Sequence, residues 1–175
     1  DGLLLSSNSK YTASHIDFKW DIKATVMYIP IDKHFQIGKK EKIILHVSRF
    51  AEPNEWADKA HRQLIQGMRY LYTTAPDWKL ILVGAVEQGQ NSYVDALMQI
   101  ASGLNIDFLF DPSDEQMVEL YGKAAIYWHA TGISLPNVPS AQEHLGLAPL
   151  EAQASGCVPI VYNSGGMSEV VLPNR

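Results

Sequence analysis

Five short apolar runs constrain this chain most. Ile43–Val47, Leu80–Val83, Phe108–Phe110, Ala125–Trp128 and Val158–Tyr162 show little polar alternation, as expected of parallel strands covered on both faces. Between them lie helical stripes: Leu64, Ile65, Met68, Leu71 and Tyr72; then Val94, Leu97, Met98 and Ala101; then Met117, Leu120 and Tyr121. The third stripe is preceded by Ser113-x-x-Gln116, a capping-box pattern. Strand and helix in alternation predict an α/β fold with a doubly wound, Rossmann-like parallel sheet. Right-handed crossovers gather the loops after the strands along one edge, where ligands bind. Arg49, Gly84, the long loop Ala130–Gln142 and the pair Gly165–Gly166 follow predicted strands and Phe110 closes one, so all are expected there.

Residues 1–30 read differently, with strand candidates at Leu3–Ser6 and Thr25–Ile29 around a helix near Tyr11–Trp20. The 175 residues suffice for one full domain, and 46% hydrophobic with 19% charged residues is an ordinary globular composition. A net charge of −5 gives no general nucleic-acid-binding surface. The single Cys157 excludes an intrachain disulfide and a multi-cysteine zinc site, and it is expected to be a buried, inert thiol. The GLLL run is too short for a signal peptide's apolar core, and no run is long enough to span a bilayer. The expected location is cytoplasmic. The first residue is an aspartate, and Arg175 follows a strand-like EVVL, so the chain is expected to be a fragment truncated at its C-terminus.

The segment EHLGLAPLEAQASGCVPIVYNSGG concentrates the chemistry. Gly146 frees the backbone, Pro149 suits a first helical turn, and Gly156 can end the helix. Amides of Gly146, Leu147 and Ala148 at the helix start favour an anion. Glu151 is expected in the first turn, where the helix dipole favours a carboxylate. With Glu143 on the loop before it, the arrangement suits a ligand bearing hydroxyls and phosphates.

This segment resembles the signature of the family-four retaining glycosyltransferases, whose two glutamates are separated by seven residues. The likeness continues through Gly165–Gly166 and the following glutamate. HVSRF with Lys59 resembles the family's phosphate-binding arginine and lysine, and NSKYTASHI and VMYIPID resemble its interdomain crossover. The resemblance implies the C-terminal, donor-binding half of a GT-B fold. Residues 1–30 would be the crossover from an N-terminal domain, and residues 31–175 the nucleotide-sugar-binding domain. The implied activity is retaining, metal-independent transfer of a hexosyl or mannosyl group from a nucleotide diphosphate sugar (UDP or GDP) to a glycan, lipid-linked or small-molecule acceptor. The fragment alone is expected to be inactive. The acceptor site is assigned to the missing N-terminal domain, which would also account for any peripheral membrane association.

By the same resemblance, Arg49 and Lys59 hold the diphosphate, with Arg62 a substitute for Lys59. Glu143 contacts the transferred sugar, and Glu151 the ribose hydroxyls. Leu145, Gly146 and Leu147 contribute backbone amides. Phe110 flanks the base, Gly84 permits close approach, and Gly165 and Gly166 pack near the diphosphate. His144 and Leu145 depart from the family's common glycine and phenylalanine, which bears on donor choice. His129 is a candidate polar contact near the sugar. His129, Glu143 and His144 lack the H-E-x-x-H spacing of a metal site, and no cofactor is implied. G-x-G-x-x-G after the first strand, G-x-x-x-x-G-K-[ST] and G-x-S-x-G are all missing from the sequence. The alternatives are a non-catalytic nucleotide-sugar-binding domain, or a GT-B epimerase or phosphorylase.

Overall fold

Ile44, Leu45, Leu80, Leu82 and Val83 are fully buried because helices cover both faces of the sheet they form. In the computed structural model, which describes residues 4–32 and 34–171, β1 (Ser6–Ser7), α1 (Lys10–Trp20) and β2 (Thr25–Val26) come first. They are followed by β3 (Glu41–Val47), α2 (His61–Tyr72), β4 (Lys79–Gly84), α3 (Asn91–Ala101) and β5 (Ile106–Phe110). Then come α4 (Asp114–Lys123), β6 (Ala124–His129), α5 (Leu147–Ala154), β7 (Val158–Val161) and α6 (Met167–Val170). The main sheet is parallel throughout, in the order β5-β4-β3-β6-β7.

The period of two along each strand divides the core. Ile44, Leu80 and Leu82 face Leu64, Ile65 and Met68 of α2 and Tyr93, Val94 and Leu97 of α3. Leu45, Ile81 and Val83 face the opposite way, toward Tyr121, Tyr127, Ala152 and Cys157. Met68 is fully buried, so truncation to alanine is expected to cost about 2–5 kcal/mol. Of the predicted stripes, Tyr72 and Met98 are exposed instead; each lies at the margin of its helix's apolar face.

Local signals end the helices as their chemistry dictates. Ser113 and Gln116 form the reciprocal capping box of α4. Gly156 N–H donates to Gln153 O and Cys157 N–H to Ala152 O, closing α5 in a Schellman arrangement. Lys40 Nζ donates to Ser155 O (2.5 Å) and Tyr121 O (3.1 Å), where carbonyls lack helical partners. Cys157 is buried, and burial pushes its thiol pKa up.

The strand reading of EVVL is corrected: Glu169 and Val170 belong to α6, a single helical turn. The Gly165–Gly166 turn starts a helix there, which overrides the β-branched composition. Leu3 and Leu172, the ends of two expected strands, lie outside the described residues. The helical turn has a structural use. Glu169 accepts the backbone amides of Lys10 and Tyr11, each at 2.8 Å, and the Tyr28 hydroxyl at 2.9 Å. Its carboxylate therefore caps the N-terminus of α1, beside the Ser9 side chain that receives Thr12 N–H.

The strand order reverses between β3 and β6. After β5 the chain crosses back to the other side of β3, opening a crevice beyond the C-terminal ends of these two strands.

Candidate functional site

Beyond β3 and β4 the two loops remain paired. Ser48 N–H donates to Val83 O, Phe50 N–H to Ala85 O and Glu87 N–H to Phe50 O. Gly84 allows this approach, because a Cβ there would lie 1.9 Å from Ser48 O. Arg49 projects from this ledge and pairs with Glu87 (Nη1–Oε1 2.5 Å). Phe110, at the end of β5, sets its ring edge-on to Phe50 with centroids 5.1 Å apart.

The segment after Phe50 places Lys59. Asn54 Oδ1 accepts the amides of Trp56 and Ala57, forming a side-chain-closed turn. Buried Asp58 accepts Ala60 N–H at 2.6 Å and holds Ala60 at φ 61°. That left-handed residue reverses the chain into α2 and leaves Lys59 Nζ 3.6 Å from Glu143 Oε2. Arg62 lies elsewhere, over the Tyr93 ring at 5.5 Å. Of the two cations, the structure brings Lys59 to Glu143.

Glu143 arrives from the β6 side. Gln142 donates to Leu135 O and Val138 O, and Gly132 N–H donates to Asp58 O, tying the long loop to the Lys59 segment. Gly165 and Gly166 back the Glu143 turn. A Cβ on the first would lie 2.2 Å from Glu143 O, and on the second 2.3 Å from His144 O. Gly166 N–H donates to Glu143 O at 2.7 Å. The double glycine therefore fixes the backbone that carries Glu143.

Buried His129, at the end of β6, brings Nε2 to 3.3 Å from Glu143 Oε2. The contact is close but misaligned, and neither ring nitrogen makes a well-formed hydrogen bond. Burial works to raise the Glu143 pKa. The His129 ring, the Lys59 ammonium and His144 outweigh it and hold the pKa at about 2. Glu143 is thus a fixed anion at neutral pH, suited to accepting hydrogen bonds and unsuited to donating a proton. A cavity of about 280 Å³ opens here, lined by Arg49, Lys59, Thr131, Gln142, Glu143 and His144. Among the described residues, Thr131 Oγ1 and Gln142 Oε1 are also buried polar atoms without a protein partner.

Glu151 stands apart from this cavity. Helix α5 starts from Gly146, which sits at φ 86°, so Glu151 falls in its second turn rather than the first. The expected dipole effect is corrected accordingly, because it fades within one turn. Glu151 Oε2 instead accepts the Tyr121 hydroxyl at 2.9 Å. Burial first, with nearby Tyr127 and Glu151, pushes the Tyr121 pKa far up, so this phenol stays a donor. Leu145 is buried and Leu147 is 41% exposed; Gly146, between them, leads into α5.

A buried relay missed in the sequence runs behind the site. His46 Nδ1–H donates to Trp128 O at 2.8 Å, which leaves Nε2 to accept the Ser48 hydroxyl at 2.8 Å. Ser48 Oγ then accepts His61 Nε2–H at 3.0 Å, and His61 Nδ1 accepts the Tyr93 hydroxyl at 3.2 Å. One set of neutral tautomers satisfies every link. Burial, then the His61 and His129 charges, keeps the His46 pKa well below the usual histidine range. Burial lowers that of His61 to about 4, Asp58 and Lys59 acting in opposite directions. Burial likewise pushes Tyr93 up to about 12. A histidine in the strand HVSRF was the sequence's only signal.

Known proteins resemble this chain in sequence and in fold. The sequence profile of the family described as "Glycosyl transferases group 1" matches residues 30–175. This chain belongs to the group 1 glycosyltransferases. A GDP-Man:Man(3)GlcNAc(2)-PP-Dol alpha-1,2-mannosyltransferase of Dictyostelium discoideum is 25% identical over 195 residues, which cover 97% of this chain and 35% of that protein. The chain spans about a third of the length of the curated relatives it matches. Among solved structures, Anabaena HepE in complex with UDP and glucose superposes with a TM-score of 0.73 at 21% identity, over 96% of this chain and 46% of that one. The C-terminal domain of a group 1 family protein (LpcC) from Francisella tularensis gives 0.59 at 18%, over 82% of this chain and 75% of that one.

In this group 1 glycosyltransferase chain, the structural likeness identifies one half of a GT-B fold. Among the described residues, no helix is long and apolar enough to cross a membrane. None of their His, Cys, Asp and Glu side chains gather in threes as a metal-binding group. A hollow of about 500 Å³ lies by the N-terminal ends of β3 and β6, away from Glu143.

Proposed function

We propose that this chain is the donor-binding part of a retaining, metal-independent hexosyltransferase that takes a nucleotide diphosphate sugar. The observation carrying this reading is the approach of Lys59 and His129 to the Glu143 carboxylate, beside Arg49, at the reversal of strand order. Arg49 and Lys59 neutralise the diphosphate as it departs, doing with fixed cations what a divalent metal does in other enzymes. Glu143 accepts hydroxyls of the transferred sugar and orients its ring, and Glu151, aligned by Tyr121, accepts those of the ribose. Phe110 flanks the base.

In the transfer, an acceptor oxygen bonds to the anomeric carbon as that carbon's bond to the diphosphate oxygen breaks. The electron pair leaves with the diphosphate, and the acceptor's proton passes to it on the same face. With its pKa at about 2, Glu143 is no general acid. The mannosyl relatives support a mannosyl-type donor and a glycan or lipid-linked acceptor. The full protein is proposed to act on the cytoplasmic side, with peripheral membrane contact made by other parts, and this chain alone to be inactive.

A thermal-shift panel of UDP, GDP and ADP tests the reading. One or more should stabilise the chain, and Arg49→Ala should remove the effect. Absence of any response at millimolar nucleotide would count against it.

A further inference from the structure

Three cavities run in sequence along the ligand edge. The first, about 190 Å³, is lined by Arg49, Glu52, Asn54, Lys59 and Glu87. It shares Arg49, Ala57 and Lys59 with the Glu143 cavity. That cavity in turn shares Ser140 and His144 with a third, of about 360 Å³. The third is walled by Tyr11, Thr12 and His15 of α1 on one side and by Pro139, Ser140 and His144 on the other. The row passes from charged walls, through a mixed centre, to aromatic rings.

The rings are held in place. The Tyr11 hydroxyl donates to Pro139 O at 3.0 Å, and the His15 ring lies 4.4 Å and the His144 ring 6.1 Å from it, centroid to centroid. His15 Nδ1–H donates to Tyr11 O at 2.9 Å, so the neutral ring keeps Nε2 as an acceptor. Ser140 and His144 make no side-chain hydrogen bond among the described residues. Among the described residues, no Lys, Arg, Asp or Glu lines this cavity, which disfavours a phosphate. Flat ring faces beside hydroxyl and imidazole groups suit a neutral sugar ring, apolar on its C–H face and polar at its rim.

We infer that the cavity between α1 and His144 is an acceptor subsite that holds a hexopyranoside ring. This rests on reading the Glu143 cavity as the donor-sugar site. The new C–O bond joins the two sugars, so the acceptor must enter through a wall shared with that cavity. Of the two neighbouring cavities that share a wall with it among the described residues, the other leads to the cations that take the diphosphate. His144 then stands between the two sugars, and part of the acceptor site belongs to this chain.

Saturation-transfer NMR on the full chain tests this, with methyl α-D-mannopyranoside as probe and GDP and UDP measured in parallel. The glycoside should receive magnetisation from the wild type and from Lys59→Ala. Its affinity should fall about three- to tenfold in His144→Ala and in Tyr11→Ala, as loss of a ring contact implies. Nucleotide binding should survive His144→Ala, which also shows that the variant is folded, and should weaken about ten- to hundredfold in Lys59→Ala. Nucleotide binding without glycoside binding would overturn this inference and leave the donor reading standing. A glycoside signal indifferent to His144→Ala would also overturn it. Glycoside binding without any nucleotide binding would remove the donor reading and the acceptor role with it.

Discussion

Lys59 holds its ammonium 3.6 Å from the Glu143 carboxylate, within ion-pair range but beyond a hydrogen bond. The two reach each other from loops after different strands, and the pair leaves the ammonium room to engage a phosphate. Lys59→Ala should weaken nucleotide diphosphate binding about ten- to hundredfold, the worth of one charge-assisted contact. The same variant should raise the Glu143 pKa above about 2. Calorimetry reads the first effect and a carbon-13 NMR titration the second. An unchanged Glu143 titration would deny the coupling.

Arg49 already has an anionic partner in Glu87. A bound diphosphate would compete with that carboxylate and be repelled by it. Glu87→Gln should therefore tighten nucleotide binding by up to about fivefold, the scale of an exposed ion pair. Weaker binding in this variant would mean that Glu87 orients Arg49 instead of occupying it.

The histidine relay makes the fold acid-sensitive in a defined window. His61 is neutral when folded, with its pKa lowered from 6.5 to about 4, so between these values only the unfolded chain takes the proton. Stability is full above pH about 6.5 and falls as the pH drops toward 4, by about 3 kcal/mol from this group. His46 acts in the same direction. Glu143 adds a separate loss at lower pH: its carboxylate stabilises the fold above pH 4.5, and that contribution disappears as the pH falls toward about 2. Urea unfolding from pH 7 to 4.5 should show the first decline, with a shallower slope in His61→Phe, which retains a ring to stack on Phe50. Equal slopes would place the acid sensitivity elsewhere.

Glu169 ties α1 to the domain through two amides and the Tyr28 hydroxyl. Glu169→Ala should cost about 1 kcal/mol in capping. It should also speed hydrogen exchange at Lys10 and Tyr11 relative to the core strands, and loosen the Tyr11 wall of the aromatic cavity. Unaltered exchange at those amides would show that Ser9 caps the helix alone.

The sheet was readable in advance because buried parallel strands need unbroken apolar runs. All five occur, with ends shifted by a few residues where Glu41 and Lys79 join the ladder despite their charge. The edge on which Arg49, Lys59 and Glu143 meet followed from the handedness of the crossovers. Other features depended on backbone dihedrals or distant partners. Ala60 in a left-handed turn aims Lys59 rather than Arg62 at the site, and nothing in the residue type alanine announces that. Glu151 lost its expected first-turn position because the helix starts at Leu147. EVVL was misread because composition alone cannot reveal that Gly165 and Gly166 pack on the Glu143 turn and open a helix. The Glu169 cap and the His46–Ser48–His61–Tyr93 relay each join residues from separate elements, which no local pattern displays.

The most direct measurement is a crystal structure of the chain with a bound nucleoside diphosphate, GDP or UDP. The account predicts the diphosphate in the cavity between Arg49 and Lys59, with Glu87 displaced from the arginine and Glu143 facing the terminal phosphate. Density for the nucleotide at the N-terminal edge of the sheet, or phosphates contacting neither cation, would contradict it.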